Sequence, residues 1–421
     1  MEQEEEDKDE FFDAESSFHE TDNILKQKSL DSDKLKLLDL KNSHHVSSKI
    51  YQTSLHNRSR DPMTPVKAIT MNFKYQSKKK IPLYDSIRLL QDIDLLDKQE
   101  FSQWILKFSP DSNYLSVSGT GKEIYIYNLT KKSILFMSPS PERILHGHES
   151  AVTSLSWSRD CKLISSANDG SVFMWEPTSE EHFKSYPHPE GVSSCKFFRS
   201  NPKYFVTVCK DKLMRVYDKD NPKPLGFYQL PMVSHCIDFN IDCNYLAVGL
   251  GKGEISLYVV KENFNLHYYN TIICRNRRGM FSNGRRVTGL SFITQDWLLV
   301  STHDSRIRII KYKEGVMIYK FKGHRNLTGG ISADFYFDRN CVLSGSEDGR
   351  IYLWFLDKDI ERNSKFESFE VRNRRSTEYS VFAPFKIEDE VRYRFSDGEI
   401  SHVIFTIGAK DTLKIFLILS K

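Results

Sequence analysis

The stretch from Lys322 to Trp354, KGHRNLTGGISADFYFDRNCVLSGSEDGRIYLW, constrains the fold more than any other part of the sequence. Apolar and polar residues alternate in three short runs, and polar turns that carry Gly or Asp separate the runs. Period-two alternation between such turns predicts three antiparallel strands rather than a helix. A Gly-His pair precedes the first run, and Trp354 lies in the last. The stretch therefore predicts one small antiparallel sheet.

Two sets of polar and aromatic residues recur at the same offsets within such stretches. The sets are His324, Ser344, Asp348 and Trp354, and His148, Ser165, Asp169 and Trp175. Any one of these residues alone is typical of a surface polar group, whereas the spacing resembles that of WD40 repeats. In those repeats a buried Asp in the tight turn is bonded by the His, with the Ser and the indole N–H as further donors. We expect a structural role for both quartets and no catalysis.

The position of Trp354 recurs along the chain at Tyr127, Trp175, Tyr217, Tyr258, Ile310 and Leu417. Seven units at this spacing predict an all-β, seven-bladed WD40 β-propeller over residues 81–421, after a disordered N-terminal tail over residues 1–80. Because the other units lack part of the quartet, we expect blades two and six to stabilise the ring most.

The last predicted strand ends at the C-terminus, so blade seven lacks an outer strand of its own. An open propeller would expose two sheet edges. The segment Ser86–Leu95, SIRLLQDIDL, has the composition of a strand and lies just before blade one. We predict that it completes blade seven and closes the ring.

Charge is distributed unevenly ahead of the propeller. Residues 1–20 contain ten acids and one Lys, whereas residues 41–80 contain nine Lys and Arg and one acid. The basic run, which ends in three lysines at 78–80, is most typical of a solvated linker. It is also compatible with an anionic membrane surface or a nuclear signal. We expect no nucleic acid as a partner.

Signatures of catalysis, metal binding and cofactor binding are weak in this sequence. The run Gly119-Thr120-Gly121-Lys122 resembles a phosphate loop, but Glu123 replaces the required Ser or Thr. The seven Cys form no metal-type pair of the Cys-x-x-Cys kind, and the sequence predicts neither a metal nor a cofactor. The acidic N-terminus is unlike a signal peptide, and the apolar run Ile415–Leu419 is too short to span a bilayer. We therefore expect a cytoplasmic binding scaffold rather than an enzyme.

Arginines crowd the predicted loops that enter blades five, six and seven. They are Arg275, Arg277, Arg278, Arg285, Arg286, Arg325, Arg372, Arg374 and Arg375. Scattered arginines commonly pair with acids of their own protein. Their occurrence on three successive loops of one face instead favours a site for an acidic partner, because guanidinium forks suit carboxylates and phosphates.

Two resemblances indicate a setting in membrane traffic. The runs RNRRGMFSNGRRVTGLSF and VSTHDSRIRIIKY, followed by KFKGHRN and LSGSEDGRIYLW, are similar to the Rab GTPase-binding WD-repeat proteins of recycling endosomes and their fungal and plant relatives. The resemblance implies a trafficking scaffold without catalytic activity and a small GTPase of the Rab family as a partner. The alternative is a nuclear or ubiquitin-ligase substrate receptor, a role that is also common among propellers.

The second resemblance lies in the acidic tail. Glu10, Phe11, Phe12, Asp13 and Ala14, after the tract EEEDKD, resemble the FFAT motif, which binds the MSP domain of VAP proteins on the endoplasmic reticulum. Ser16 stands where the motif ends in an acid, and phosphorylation would supply that charge. A chance aromatic pair in an acid-rich tail is the other interpretation. The resemblance implies peripheral association with endoplasmic reticulum or endosomal membranes.

Overall fold

Strands occupy most of the chain that the structure describes. The computed structural model describes residues 69–71, 74–75, 84–95, 104–119, 121–130, 137–179, 182–276, 283–337, 340–356, 366–371, 378–394, 399–408 and 412–420. Within them the strands form seven antiparallel sheets, five of four strands and two of five. The prediction of a seven-bladed β-propeller is confirmed. The predicted FFAT-like segment and residues 1–68 as a whole lie outside the described residues.

Three strands precede the first blade, and blades one to three follow in chain order. The leading strands are β1 (Ile69–Met71), β2 (Lys74–Tyr75) and β3 (Tyr84–Asp94). Blade one contains β4 (Trp104–Phe108), β5 (Tyr114–Gly119), β6 (Ile124–Asn128) and β7 (Arg143–Leu145). Blade two contains β8 (Val152–Trp157), β9 (Leu163–Ala167), β10 (Val172–Trp175) and β11 (His182–Ser185). Blade three contains β12 (Val192–Phe197), β13 (Tyr204–Cys209), β14 (Leu213–Asp218) and β15 (Gly226–Gln229).

Blades four to seven complete the ring. Blade four contains β16 (Ser234–Phe239), β17 (Tyr245–Leu250), β18 (Glu254–Val260) and β19 (Leu266–Ile273). Blade five contains β20 (Val287–Phe292), β21 (Trp297–Thr302), β22 (Arg306–Lys311) and β23 (Val316–Phe321). Blade six contains β24 (Asp334–Tyr336), β25 (Cys341–Ser344), β26 (Arg350–Phe355) and β27 (Phe366–Glu370). Blade seven contains β28 (Glu378–Phe382), β29 (Glu399–Gly408) and β30 (Thr412–Ser420).

The ring is closed by β3. This strand pairs antiparallel with β30 along its length, with Ile87 opposite Ile418 and Ile93 opposite Leu413. It therefore supplies the outer strand that blade seven lacks, and the prediction that Ser86–Leu95 closes the ring is confirmed. The side chains of Ile87, Leu90 and Ile93 are buried, so closure buries apolar surface as well as two sheet edges.

The structure differs from the sequence prediction at the end of the supposed tail. Residues 69–75 were assigned to a disordered segment, but β1 adds a fifth strand to blade seven and β2 adds one to blade six. Ile69 lies opposite Leu89, and Lys74 lies opposite Ser368. The reason is that β3 and β27 each present a free edge, and a short extended segment can satisfy backbone groups there without an apolar pattern of its own.

The core lies between the blades, where each sheet packs against its neighbours. Blade three contributes Val206 and Val216 to one cluster, and blade four contributes Val248 to the same cluster. The indoles of Trp175 and Trp354 are fully buried. In blades one to four, the first strand of each blade contacts the first strand of the next. The first strands of blades four and five, of six and seven, and of seven and one are also in contact. These first strands therefore surround the central axis.

The described chain also contains helical turns. The helix α1 (Phe385–Arg394) connects β28 to β29, and two 3-10 turns lie at Gly251–Gly253 and Glu262–Phe264. The all-β prediction did not include α1. Its buried Glu388 accepts hydrogen bonds from the Val403 backbone N–H at 3.0 Å and from Tyr336, and it pairs with Arg392. Burial of one carboxylate with several donors thus anchors α1 against the ring.

We expect the closing strand to limit the stability of the whole ring. Replacing Ile93 by Ala should lower the free energy of unfolding by about 2–5 kcal/mol, because the side chain is only 1% exposed. Asp94→Ala is the matched control, since this neighbouring side chain is exposed, and it should change stability by less than about 0.5 kcal/mol. Chemical denaturation of the full chain measures both. Equal midpoints for the two variants would contradict a closing role for β3.

Candidate functional site

The turns between the second and third strands of each blade share one face with the loops that connect successive blades. This follows from the antiparallel order, because strand direction alternates across each sheet. We call this surface the entry face. The loops and turns of both predicted quartets lie on it, as do the predicted rim arginines that the structure describes. The geometry of these side chains shows which of them maintain the fold and which are available to a partner.

Blade two joins its quartet through an additional serine. The indole N–H of Trp175 donates to the Ser165 hydroxyl at 2.7 Å, and that hydroxyl lies 2.6 Å from Nε2 of His148. Nδ1 of His148 lies 2.5 Å from the Ser171 hydroxyl, which donates to Asp169 at 2.5 Å. A hydroxyl has one proton, so Ser171 accepts from Nδ1–H and Ser165 donates to Nε2. The expected direct bond between His148 and Asp169 is therefore replaced by a bridge through Ser171.

The carboxylate of Asp169 also fixes the loop that enters blade two. It accepts from the backbone N–H groups of Glu149 at 2.6 Å and Ser150 at 3.1 Å. Burial opposes its ionisation, but the bonds from Ser171 and Glu149 outweigh burial and lower its pKa. Burial lowers the pKa of His148 to about 4, which keeps the imidazole neutral. These hydrogen bonds lie within blade two and the loop that enters it, so the role of the network is structural.

Blade six does not form the predicted quartet, and that interpretation is wrong. The Trp354 indole donates to the Lys322 carbonyl at 3.0 Å, and the Ser344 hydroxyl donates to the Gly345 carbonyl at 2.9 Å. Within the described residues neither ring nitrogen of His324 has a hydrogen-bond partner, and burial lowers its pKa to about 3. Of the two blades predicted to contain a complete quartet, blade six therefore lacks one.

The residue four positions after the turn aspartate explains the difference. In blade six this residue is Tyr352, whose hydroxyl donates to Asp348 at 2.7 Å. In blades three and five it is an arginine: Arg215 pairs with Asp211 at 2.5 Å, and Arg308 pairs with Asp304 at 2.7 Å. In blade two it is the apolar Phe173, which leaves the aspartate to the serine bridge. A donor four residues after the aspartate was thus a sequence signal that the quartet interpretation missed.

The structure describes part of the predicted arginine rim. Arg277, Arg278, Arg372, Arg374 and Arg375 lie outside the described residues. Arg275 follows β19 and is exposed. Arg285 and Arg286 directly precede β20, and Arg325 lies in the loop before β24. The described rim residues thus come from the loops that enter blades five and six.

A glycine positions the pair Arg285 and Arg286. Gly284 has a φ of +77°, and a Cβ placed there would lie 1.9 Å from the backbone oxygen of Lys252 in the turn of blade four. No side chain fits at that distance, and positive φ is strained for other residues. Gly284 therefore lets the loop pass directly against blade four and brings Arg286 to the start of an inner strand, at the mouth of the ring.

Arg286 contacts an imidazole rather than an acid. Its Nε lies 3.0 Å from Nδ1 of His303, and its Nη2 lies 3.2 Å from Nε2 of the same ring. Nε2 of His303 also accepts the Gly330 backbone N–H at 3.0 Å. Burial and the charge of Arg286 lower the pKa of His303 to about 4, so the ring is neutral. His303, the residue that holds Arg286, therefore provides no negative charge to balance the guanidinium.

Further cations and imidazoles surround Arg286. Burial, together with the charges of Arg286 and Lys210, lowers the pKa of His235 to about 4. Arg285 contributes to the lowered pKa of His303. Burial also lowers the pKa of Arg286 itself, although it stays far above neutral pH. We call Lys210, His235, Arg285, Arg286 and His303 the mouth cluster. Sequence analysis missed its lysine and both histidines, because blades three, four and five bring them together.

Glu347, an acid of the rim, already has hydrogen-bond partners within the protein. Glu347 accepts backbone N–H groups from Thr328 at 2.6 Å, Gly329 at 2.7 Å and Leu327 at 2.8 Å. Burial would raise its pKa, but these three bonds outweigh burial and lower it. Arg325 lies 3.5 Å from the other carboxylate oxygen. Arg325 is thus paired within the protein, and both carboxylate oxygens of Glu347 already have partners there.

The described residues contain no group of three or more His, Cys, Asp or Glu arranged to hold a metal ion. In the same part of the chain, no helix has the length and apolar character needed to cross a membrane. The chemistry that the mouth cluster offers is recognition of an anion by fixed guanidinium and ammonium groups.

We expect the two matched serines of blades two and six to differ in their effect on stability. Ser165→Ala removes the acceptor of the buried Trp175 indole and the donor to His148, at a cost of about 1–3 kcal/mol. Ser344→Ala removes one bond to an adjacent carbonyl and should cost less than about 1 kcal/mol. Urea denaturation of both variants measures the difference. A loss at Ser344 as large as that at Ser165 would contradict the network described for blade two.

Comparison with known proteins agrees with this architecture. The family description "WD domain, G-beta repeat" matches residues 139–176, 180–218 and 315–354. The chain is 15% identical to the Cps50 (Swd1) β-propeller domain of Myceliophteria thermophila, with a TM-score of 0.58 over 78% of this chain and 99% of that domain. At this identity the likeness shows the fold alone.

Several curated proteins are similar to the chain over its repeats. It is 27% identical to WD repeat-containing protein 44 of Xenopus laevis over 56% of this chain and 27% of that protein. It is 25% identical to an uncharacterized WD repeat-containing protein of Schizosaccharomyces pombe over 69% of this chain and 55% of that protein. It is 25% identical to Jouberin of Mus musculus over 62% of this chain and 25% of that protein. The matches thus span from a quarter to just over half of the length of these relatives. Repeat pattern, sheet order and ring closure agree: the chain contains WD40 repeats and folds as a seven-bladed β-propeller.

Proposed function

We propose that this chain is a non-enzymatic WD40 scaffold that holds an acidic segment of a partner protein at the mouth cluster. The observation that carries the proposal is Arg286, a half-buried guanidinium whose hydrogen-bond partner is the neutral His303. A partly buried charge without a counter-charge is unfavourable unless an opposite charge is supplied. A carboxylate from a partner would supply that charge.

The surroundings of Arg286 suit an anion better than an apolar group. Arg285 and Lys210 add positive charge, and both neighbouring imidazoles stay neutral at physiological pH. The neutral imidazole of His303 holds the guanidinium in place and adds no charge of its own. Glu347 bonds backbone N–H groups through one carboxylate oxygen and pairs with Arg325 through the other. An acidic segment would therefore gain the donors of Arg286, whose contact within the protein is a neutral imidazole.

We propose membrane traffic as the setting of this scaffold. The support is the resemblance to Rab GTPase-binding WD-repeat proteins and the FFAT-like segment around Phe11 and Phe12. A small GTPase of the Rab family, the MSP domain of VAP and an anionic membrane surface are the candidate partners. The protein would then work in the cytoplasm, at the surface of endoplasmic reticulum or endosomal membranes. The alternative is a nuclear or ubiquitin-ligase substrate receptor, which the basic residues 41–80 also allow.

We expect the double variant Arg285→Gln and Arg286→Gln to weaken binding of an acidic peptide to the full chain by about tenfold or more, because charge-assisted hydrogen bonds are lost. A fluorescein-labelled decapeptide of alternating Glu and Ser is the probe, read by fluorescence anisotropy. Binding to the wild type should weaken as salt is raised, because exposed charges are screened. The double variant should show a smaller salt dependence.

Arg159→Gln is the matched control, since this exposed arginine lies on the face opposite to the entry face. It should leave peptide affinity unchanged. Equal affinity of the double variant and the wild type would contradict the proposed site. Binding to vesicles that contain phosphoinositide, with none to the peptide, would instead assign the mouth cluster to a membrane surface.

We expect the FFAT-like segment to bind VAP through its two phenylalanines. A peptide of residues 1–25 should bind a purified MSP domain in calorimetry, and Phe11→Ala with Phe12→Ala should abolish binding while every acid is kept. Each ring contributes on the order of 1.5–3 kcal/mol when it is fully buried. Phosphorylation of Ser16 should strengthen binding by restoring the missing acid.

Phe18→Ala provides the control in the same segment, because this phenylalanine lies outside the motif. Its peptide should bind as the unmodified one does. The absence of heat with both the phosphorylated and the unphosphorylated peptide would make the motif a coincidence of composition. A tagged full chain that concentrates in the nucleus, with or without Phe11 and Phe12, would favour the substrate-receptor alternative.

A further inference from the structure

A cleft of about 750 Å³ opens at the outer circumference of the ring, between blades three and four. It lies away from the mouth cluster, because outer rather than inner strands line it. The residues that bear on its chemistry are Phe227, Glu254, Ser256, Tyr258, Tyr268 and Thr271. Blade three provides Phe227, and blade four provides the others. The cleft thus combines aromatic rings, hydroxyl groups and one carboxylate.

Its walls are unusually exposed aromatic side chains. Phe227 is 60% exposed and Tyr268 is 61% exposed, although both belong to strands. The Tyr268 ring meets the buried Tyr258 ring edge-on, with centroids 6.0 Å apart. The guanidinium carbon of Arg215 lies 5.7 Å from the centroid of the Phe227 ring. The protein itself therefore shows that this wall accepts a guanidinium over an aromatic face.

The floor of the cleft has polar groups. The side chain of Tyr258 is only 5% exposed, and it lines the cleft. Glu254 is half-buried, and no cation of the described residues forms an ion pair with its carboxylate. A half-buried carboxylate favours a nearby cation, and a tyrosine hydroxyl can accept a hydrogen bond from it. A ligand that donates hydrogen bonds and carries positive charge would therefore suit both the Tyr258 hydroxyl and the Glu254 carboxylate.

We propose that this cleft binds the guanidinium of an arginine carried by an extended segment of a partner protein. Charge complementarity with Glu254 favours a cation, and the exposed rings favour one that is planar and weakly hydrated. A guanidinium has five N–H donors in a fixed fork, which can serve Glu254 and Tyr258 together. The ammonium of a lysine has neither the planar face nor the fork.

The neighbouring strand edge explains why the arginine would come from an extended segment. β19 is the outermost strand of blade four, and no strand of the described chain pairs with its outer edge. Blades six and seven show how such an edge is used, because β2 and β1 add to their outermost strands. A partner strand added to β19 would run beside Tyr268 and Thr271, from which an arginine can reach the cleft.

This site is independent of the proposed function at the mouth cluster. The mouth cluster is positively charged and would bind an acidic segment, whereas the cleft contains an unpaired carboxylate and would bind a basic side chain. The two sites lie on different parts of the ring and share no residue. Failure of one binding experiment would therefore leave the other unaffected.

The test uses the full chain and a short peptide, acetyl-Val-Thr-Arg-Thr-Val-amide, observed by saturation-transfer difference NMR and titrated for affinity. The matched control peptide carries citrulline in place of arginine, which keeps the shape and removes the charge. We expect saturation transfer to the arginine side chain and an affinity for the citrulline peptide that is lower by about tenfold. Glu254→Gln and Tyr268→Leu should each weaken binding of the arginine peptide by about threefold to tenfold.

Glu262→Gln is the protein control, because this exposed acid belongs to the same blade and lies outside the cleft. It should leave the affinity unchanged. Thermal melting of all three variants verifies that each is folded. No saturation transfer from the wild type, equal affinity for the citrulline peptide, or equal affinity of Glu254→Gln and Glu262→Gln would each overturn the proposal.

Discussion

The antiparallel ladder between β3 and β30 is the interaction on which the rest of the structure depends. A propeller sheet contacts only its two neighbours, and β3 carries the chain from the outer edge of blade seven into blade one. The ladder runs from Tyr84 opposite Ser420 to Asp94 opposite Thr412. It converts two exposed sheet edges into one buried contact and encloses the central channel. The entry face, with its mouth cluster, exists as a single surface because this ladder holds blades one and seven together.

Within the ring, the seven blades satisfy their buried polar groups in different ways. Blade two uses a chain of hydroxyl groups from Trp175 to Asp169, whereas blades three and five pair the turn aspartate with an arginine. Blade six uses a tyrosine and leaves its histidine buried and neutral. All these arrangements fix the same turn, since each gives the aspartate side-chain hydrogen-bond donors. The repeat therefore tolerates wide substitution while the sheet geometry stays constant.

Each of the two candidate binding sites contains a charged side chain whose partners within the protein are incomplete. Arg286 is held by a neutral imidazole, and Glu254 is left without a cation in the described part of the chain. The first lies at the mouth of the ring and the second at its circumference. A scaffold with sites of opposite charge on separate surfaces can hold an acidic and a basic segment at the same time. This arrangement agrees with the proposed role as an adaptor and requires no catalytic group.

The sequence alone was sufficient to predict the number of blades and the closing strand, because period-two alternation and turn spacing are local properties. For the same reason, the described arginines Arg275, Arg285, Arg286 and Arg325 lie in loops between the expected strands. The sequence alone failed where partners come from distant parts of the chain. The quartet of blade six depends on whether Trp354 turns towards Ser344 or towards Lys322, and the mouth cluster depends on three blades that meet around Arg286. Such contacts are set by packing across the ring, where burial and neighbouring charge select the partner of each polar group.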